Sequence, residues 1–152
     1  MPGLDCDEPF ALSAARVVEV RAAEVFAHSR GVLDTGDVER VHDMRVATRR
    51  LRAAMEVFEP CFPRKRFRRA LKQVKALADA LGERRDSDVE IELFRRCADE
   101  VGAADRDALA ALVERLRAEQ RQANEMLAPF VTKKRLAKLR RRLDRLVEEA
   151  RR

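Results

Sequence analysis

Between Val41 and Arg52 the chain places His42, Arg45, Arg49 and Arg52 at steps of three and four. On a helix advancing 100° per residue these side chains fall within a sector of roughly 80° and span about 15 Å along the axis. A point substrate has no use for such a line, whereas a string of phosphates could touch all of it. Arginine gives forked contacts to phosphate oxygens, and lysine gives point charges that tolerate sliding. A second row, Lys65, Arg68, Lys72 and Lys75, repeats the spacing further on. Each row borders the apolar row of its own segment: Val41, Met44, Leu51 and Met55 for the first, Leu71, Val74, Leu77 and Leu81 for the second. Two helices packed through those apolar rows could line one groove with both basic flanks, Arg84 and Arg85 closing one end. Asp43 and Asp79 are the main carboxylates expected nearby. A concave surface of one sign focuses potential and concentrates anions.

The bland alternative is that a charged row is the solvated face of an amphipathic helix. Two rows that each border a core, with few compensating acids, weigh against it. A third basic run, Lys133 to Arg142, wraps around its helix and reads as ordinary surface.

Catalysis has little to work with. Acid–base chemistry needs histidines or carboxylates converging on one pocket. His42, between guanidinium groups, is expected as a neutral ring that orients or donates to phosphate, and His28 has no evident partner. Asp86 and Asp88 follow Arg84 and Arg85, where they are expected to cap a helix or fix those arginines. Ser13, Ser29 and Ser87 lack an adjacent base, and there is no glycine-rich phosphate loop. Two histidines without Cys/His spacing give no expectation of a transition metal or cofactor.

The elements that must position these rows are helices. Hydrophobic residues make up 46% and charged residues 39%, with five Gly and five Pro, a mixture suited to amphipathic helices and not to a β-protein. Six antiparallel helices are expected, forming one domain over residues 1–152. The first runs from about Pro9 to Arg30 and stops at Gly31; after the Val32–Gly36 connector, Asp37 caps a second that ends near Phe58. Pro60 and Pro63 break the chain there. A third is expected over Arg64–Leu81, stopping at Gly82, and a fourth from the capping-box spacing Ser87-x-x-Glu90 to Glu100. Gly102 precedes a fifth over Asp105–Leu127. After Pro129 a sixth carries Leu136, Leu139, Leu143 and Leu146.

The net charge of +6 and pI of about 9.8 allow an anionic partner, but net charge alone favours ordinary solvated helix surfaces, and the clustering of the charges carries more information than their sum. Cys6, Cys61 and Cys97 are odd in number and widely spaced, which fits a reducing compartment. The first residues have no basic start followed by an apolar run, and no stretch approaches the roughly 18 apolar residues that cross a bilayer. A cytoplasmic, non-enzymatic module is the expectation.

The same residues carry a family resemblance. His42-Asp-Met-Arg45-Val-Ala-Thr-Arg49-Arg50-Leu-Arg52 resembles the signature of the CHAD family, the conserved histidine α-helical domains. Leu71-Lys-Gln-Val-Lys-Ala-Leu77 and Leu81-Gly-Glu-Arg-Arg-Asp86-Ser-Asp88-Val89 resemble its second motif, in the right order and at a natural distance. The resemblance implies an all-helical fold and inorganic polyphosphate as ligand, with polyphosphate granules as an associated location. It implies polyphosphate binding by His42, Arg45, Arg49, Arg50, Arg52, Arg68, Lys72, Lys75 and Arg85. Family members usually carry two related bundles, and the resemblance covers most of this chain but only the first half of that pair. A symmetric homodimer that supplies the companion bundle is therefore expected, with an unusually long apolar row left over on one helix as its footprint.

Two other readings compete. The basic groove could hold a nucleic-acid backbone without regard to sequence. The chain has neither Trp nor Tyr, so stacking of bases on aromatics is poorly supported. Alternatively the bundle is a structural adaptor whose basic rows pair with acids such as Asp99, Glu100, Glu148 and Glu149.

Overall fold

The structure, a computed structural model, describes residues 7–100 and 102–152, with the side chains of Asp99, Ala103 and Ala104 outside that description. Five α-helices are found among the described residues: α1 (Phe10–Ala27), α2 (Val38–Val57), α3 (Arg64–Glu100), α4 (Ala103–Leu127) and α5 (Lys133–Ala150). One-turn 3₁₀ segments at Glu59–Cys61 and Ala128–Phe130 carry Pro60 and Pro129, which complete a turn but cannot extend a helix. Among the described residues there is no strand. The all-α bundle expected from the sequence is present.

The count of six differs at one place. The expected third and fourth helices are one helix of 37 residues, about 55 Å long at 1.5 Å per residue. Gly82 does not stop it. The neighbours Leu81 and Arg84 are both fully buried, and their packing outweighs the roughly 1 kcal/mol by which an interior glycine weakens a helix. Ser87 accordingly is no N-cap: its hydroxyl reaches back toward the Glu83 carbonyl, one turn earlier.

Gly31 does supply the left-handed conformation expected of a stop, with φ of 72°, although α1 itself ends at Ala27. A side chain there would also run into the Arg40 guanidinium, 2.7 Å from the position of a Cβ. Arg40 donates to the Arg30 carbonyl and to the Asp37 carboxylate, so Asp37 anchors a loop clamp and makes no side-chain cap to α2. At α5 the Thr132 hydroxyl does cap, accepting from the Arg135 amide at 3.2 Å.

Helices α1, α2, α3 and α5 close a four-helix ring: α1 packs on α2 and α5, and α3 packs on α2 and α5. Their inward residues, including Val18, Val25, Val41, Met44, Leu51, Met55, Phe67, Val74, Leu81, Leu143 and Leu146, form one continuous core. That ring accounts for the first half of α3. The second half projects past it, and α4 folds back along it as a hairpin held by a smaller set of buried residues, Ile91, Val113 and Leu116. No helix among the described residues is long and apolar enough to cross a membrane.

Candidate polyanion-binding site

The α2 row forms as its spacing requires. Val41, Met44, Ala47, Thr48, Leu51 and Met55 are buried against the core, which turns Arg45, Arg49 and Arg52 into the groove between α2 and α3. The groove encloses about 370 Å³, and α3 contributes Ala78, Asp79, Gly82, Glu83 and Asp86 to it. Gly82 lies beneath Arg45, with the Arg45 Nε 4.0 Å from where a Cβ would stand. His42 stands half-buried one turn before Arg45, without a hydrogen bond or ion pair among the described residues.

The facing wall differs from the expectation. The sequence reading put the Lys/Arg flank of α3 opposite the α2 arginines, yet the residues that line the groove there include three carboxylates, Asp79, Glu83 and Asp86. The cause is helical phase. Lys72 is about 80° round α3 from Gly82, so it falls on the α5 side of the ridge, where it joins Arg69, Arg135 and Arg142. Arg85 lies about 60° from Gly82 on the other side, in a wide cleft bounded by α4 and the loop before α2. Arg84 is fully buried and closes no groove. Arg50 is exposed and about 120° round α2 from the middle of the arginine row, so it serves another surface. Despite the acids opposite, Arg45 and Arg49 make no ion pair among the described residues.

At the Arg52 end Lys75 stands next to the groove without lining it. Its ammonium and the Arg52 guanidinium converge on the Glu56 carboxylate, at 2.9 and 3.2 Å. Hydrogen bonds from Lys75 and then Arg52 hold that carboxyl below the usual glutamate range. Lys75 thus crosses from α3 to α2, and one acid shares two of the candidate cations.

Beyond Lys75 the character of α3 changes. Every charged residue from Arg64 to Ala78 is Lys or Arg. Lys65, Arg68 and Lys72 are exposed on the ridge between the α2 side and the α5 side. Across the α5 side stand Arg135 and Arg142, so the Lys133–Arg142 run, expected as ordinary surface, adds two cations to the pocket. The spacing Arg135, Leu139, Arg142 places them on one face beside a core leucine, the same signal that revealed the α2 row; the surrounding cations masked it. Arg140 in that run is occupied otherwise, its guanidinium 4.4 Å above the Phe26 ring. The basic surface is therefore three helices wide, running from the Arg45/Arg49/Arg52 row over the α3 ridge to α5.

The acids proposed as pairing partners take little of it. Glu149 pairs with Arg66, while Glu100 and Glu148 are exposed. Asp99 lies outside the described side chains. His28 approaches Asp43, Nδ1 to Oδ2 3.9 Å, on the opposite side of α2 from the row.

Asp88 does fix an arginine, as its position suggested. It accepts from the Arg84 guanidinium and from the Gln120 amide of α4 at 2.6 Å, while Arg84 Nε donates to Asn124 at 3.3 Å. Asn124 in turn donates to the Leu33 carbonyl at 2.9 Å. This buried network ties α3, α4 and the α1–α2 loop together where the hairpin leaves the four-helix ring.

No group of three His, Cys, Asp or Glu side chains suited to a metal occurs among the described residues. Burial pushes the Cys61 thiol up, which disfavours its nucleophilic thiolate form.

An all-helical domain with an arginine row beside the core of α2 and a buried Arg84–Asp88 pair on α3 defines a class that comparison makes definite. The CHAD domain family model matches residues 16–152, and the chain belongs to that family. Comparison with curated proteins gives no match.

Proposed function

We propose that this protein binds inorganic polyphosphate, without turning it over, on the basic surface formed by α2, the first half of α3 and α5. Membership of the CHAD domain family supports the ligand. The observation that carries the surface is the acid-free stretch of α3 from Arg64 to Ala78, flanked by Arg52 on one side and Arg142 on the other. A flexible polyanion gains from each cation it reaches and needs no aligned bases, so exposed Lys65, Arg68 and Lys72 suit it as well as the Arg45 row. His42, at the end of that row, is assigned an orienting role. Arg50 and Arg85 lie off this path and contribute at most long-range attraction. A cytoplasmic location is part of the proposal.

Competition decides between polyphosphate and nucleic acid. Long-chain polyphosphate, duplex DNA and single-stranded RNA of equal charge are titrated at two salt concentrations. Clear preference for polyphosphate is expected at both; equal affinities would make the protein a generic backbone binder, and no binding would leave the adaptor reading.

A symmetric dimer remains part of the proposal. Val89 and Leu93, one turn apart on the projecting half of α3, are 50% and 54% exposed, an apolar patch shorter than the long row expected as the dimer's footprint but open to a companion bundle. Light scattering after size exclusion is expected to give twice the chain mass, and Val89→Ser with Leu93→Ser to halve it. A strict monomer that still binds polyphosphate tightly would remove the dimer and leave the surface.

A further inference from the structure

The α3–α5 pocket differs in kind from the α2–α3 groove. It encloses about 430 Å³, within the range of small-molecule sites, and Arg69, Lys72, Arg135 and Arg142 surround it with no carboxylate in its lining. None of those four makes an ion pair or side-chain hydrogen bond among the described residues. Its remaining wall is apolar: Ala76, Leu77, Phe130 and Leu139. A bare phosphate chain gains nothing from that wall, and an apolar molecule gains nothing from four cations.

A third feature narrows the ligand. Gln73 also lines the pocket, and its Oε1 is buried without a hydrogen-bond partner. A buried acceptor left unpaired destabilises the fold, and a ligand N–H or O–H would relieve it. The helices run antiparallel here, since Arg66 near the start of α3 pairs with Glu149 near the end of α5. Arg69, Lys72 and Arg142 therefore lie toward one end and Leu77 and Phe130 toward the other, with Leu77 about 8–12 Å along α3 from Lys72 and Arg69. Gln73 sits between them.

We infer that this pocket, which shares Lys72 and Arg142 with the polyphosphate surface, is also a site for a nucleoside di- or triphosphate. The phosphates lie against Arg69, Lys72 and Arg142. The base lies on Leu77, Phe130 and Leu139, and one of the ligand's N–H or O–H groups donates to Gln73 Oε1. Arg135, on the exposed rim, covers the ring face as guanidinium groups cover aromatic surfaces.

Calorimetric titration of the full chain with ATP, inorganic tripolyphosphate and adenosine tests this. ATP is expected to bind at least about tenfold more tightly than tripolyphosphate, a difference of about 1.4 kcal/mol, and adenosine weakly. Gln73→Leu removes the acceptor without leaving an unpaired group, so it should fold and reduce the advantage of ATP over tripolyphosphate. Arg135→Glu with Arg142→Glu should lose ATP outright, with helicity checked by circular dichroism. Arg45→Glu with Arg49→Glu should weaken long-chain polyphosphate and leave ATP unchanged, which separates this site from the polyphosphate reading. Equal affinity for ATP and tripolyphosphate would overturn the inference, as would no binding of ATP or an ATP advantage untouched by Gln73→Leu.

Discussion

The two halves of α3 are one continuous helix with opposite designs. From Arg64 to Ala78 it turns an apolar face into the four-helix core and an all-cationic face to solvent. From Asp79 onward carboxylates return, a charge pair is buried at Arg84 and Asp88, and Val89 and Leu93 are left exposed. The first half has many apolar neighbours and leaves Lys65, Arg68, Arg69 and Lys72 without ion pairs among the described residues, although Arg66 and Lys75 are paired. The second half faces α2 only over its first turns, then has α4 as its helical neighbour, and uses hydrogen bonds at its root to fix the hairpin. Uncompensated charge is tolerated where packing already secures the helix, and it is neutralised where packing is thin.

Breaking the second half at its root should give the largest effect. Asp88→Ala leaves the Arg84 guanidinium buried without its carboxylate, and a loss of about 3–5 kcal/mol is expected in urea unfolding. A loss below about 1 kcal/mol would show that Arg84 finds water, and that the network is no anchor.

The junction itself predicts a smaller change of opposite sign. Gly82 is helical, and a Cβ there meets only Arg45 Nε at the ordinary contact distance of 4.0 Å. Gly82→Ala should stabilise the protein by about 0.4–1 kcal/mol, seen as a raised thermal midpoint. Destabilisation would mean that the close approach of Arg45 to α3 is what selects glycine.

The smallest effect belongs to Glu56, the acid that Arg52 and Lys75 share. The Glu56 carboxyl is held below its usual range, so its attraction for Lys75 and Arg52 is present above the ordinary glutamate value and is lost as pH falls through the lower folded value. Polyphosphate affinity should therefore rise on acidification through that window. Glu56→Gln should raise it at neutral pH by about fivefold or less, in keeping with the 0–1 kcal/mol of exposed ion pairs, and remove that pH dependence. Unchanged affinity in Glu56→Gln would place the bound chain away from the Arg52–Lys75 end.

The sequence made much of this legible, and the misreadings share a cause. Periodicity located α1, α2, α4 and α5 and the row Arg45, Arg49, Arg52, because each spacing lies beside a continuous apolar row. It divided α3 at Gly82, where a glycine, a change in charge and the Ser87/Glu90 spacing coincide. The packing of Leu81 and Arg84, which carries the helix through, depends on distant partners such as Asn124. Phase was the second failure. Lys72 and Lys75 are three residues apart and look like one flank, yet a 300° step puts them 60° apart, enough to assign one to α5 and the other to α2. Arg84 reads as a rim cation because, although Asp88 stands one turn away, nothing local reveals that Gln120 and Asn124 of α4 enclose the pair.

The contrast between the halves of α3 can be tested by matched charge reversals. Arg68→Glu with Lys72→Glu alters the first half, and Arg95→Glu with Arg96→Glu alters the second, all at exposed positions. Polyphosphate affinity is measured for both at the same salt, with helicity as the control. The first pair should lose binding by about two orders of magnitude or more, close to 3 kcal/mol, while the second stays within about threefold of the parent. Equal losses from the two pairs would contradict the account, because binding would then follow net charge and not the basic surface of α2, α3 and α5.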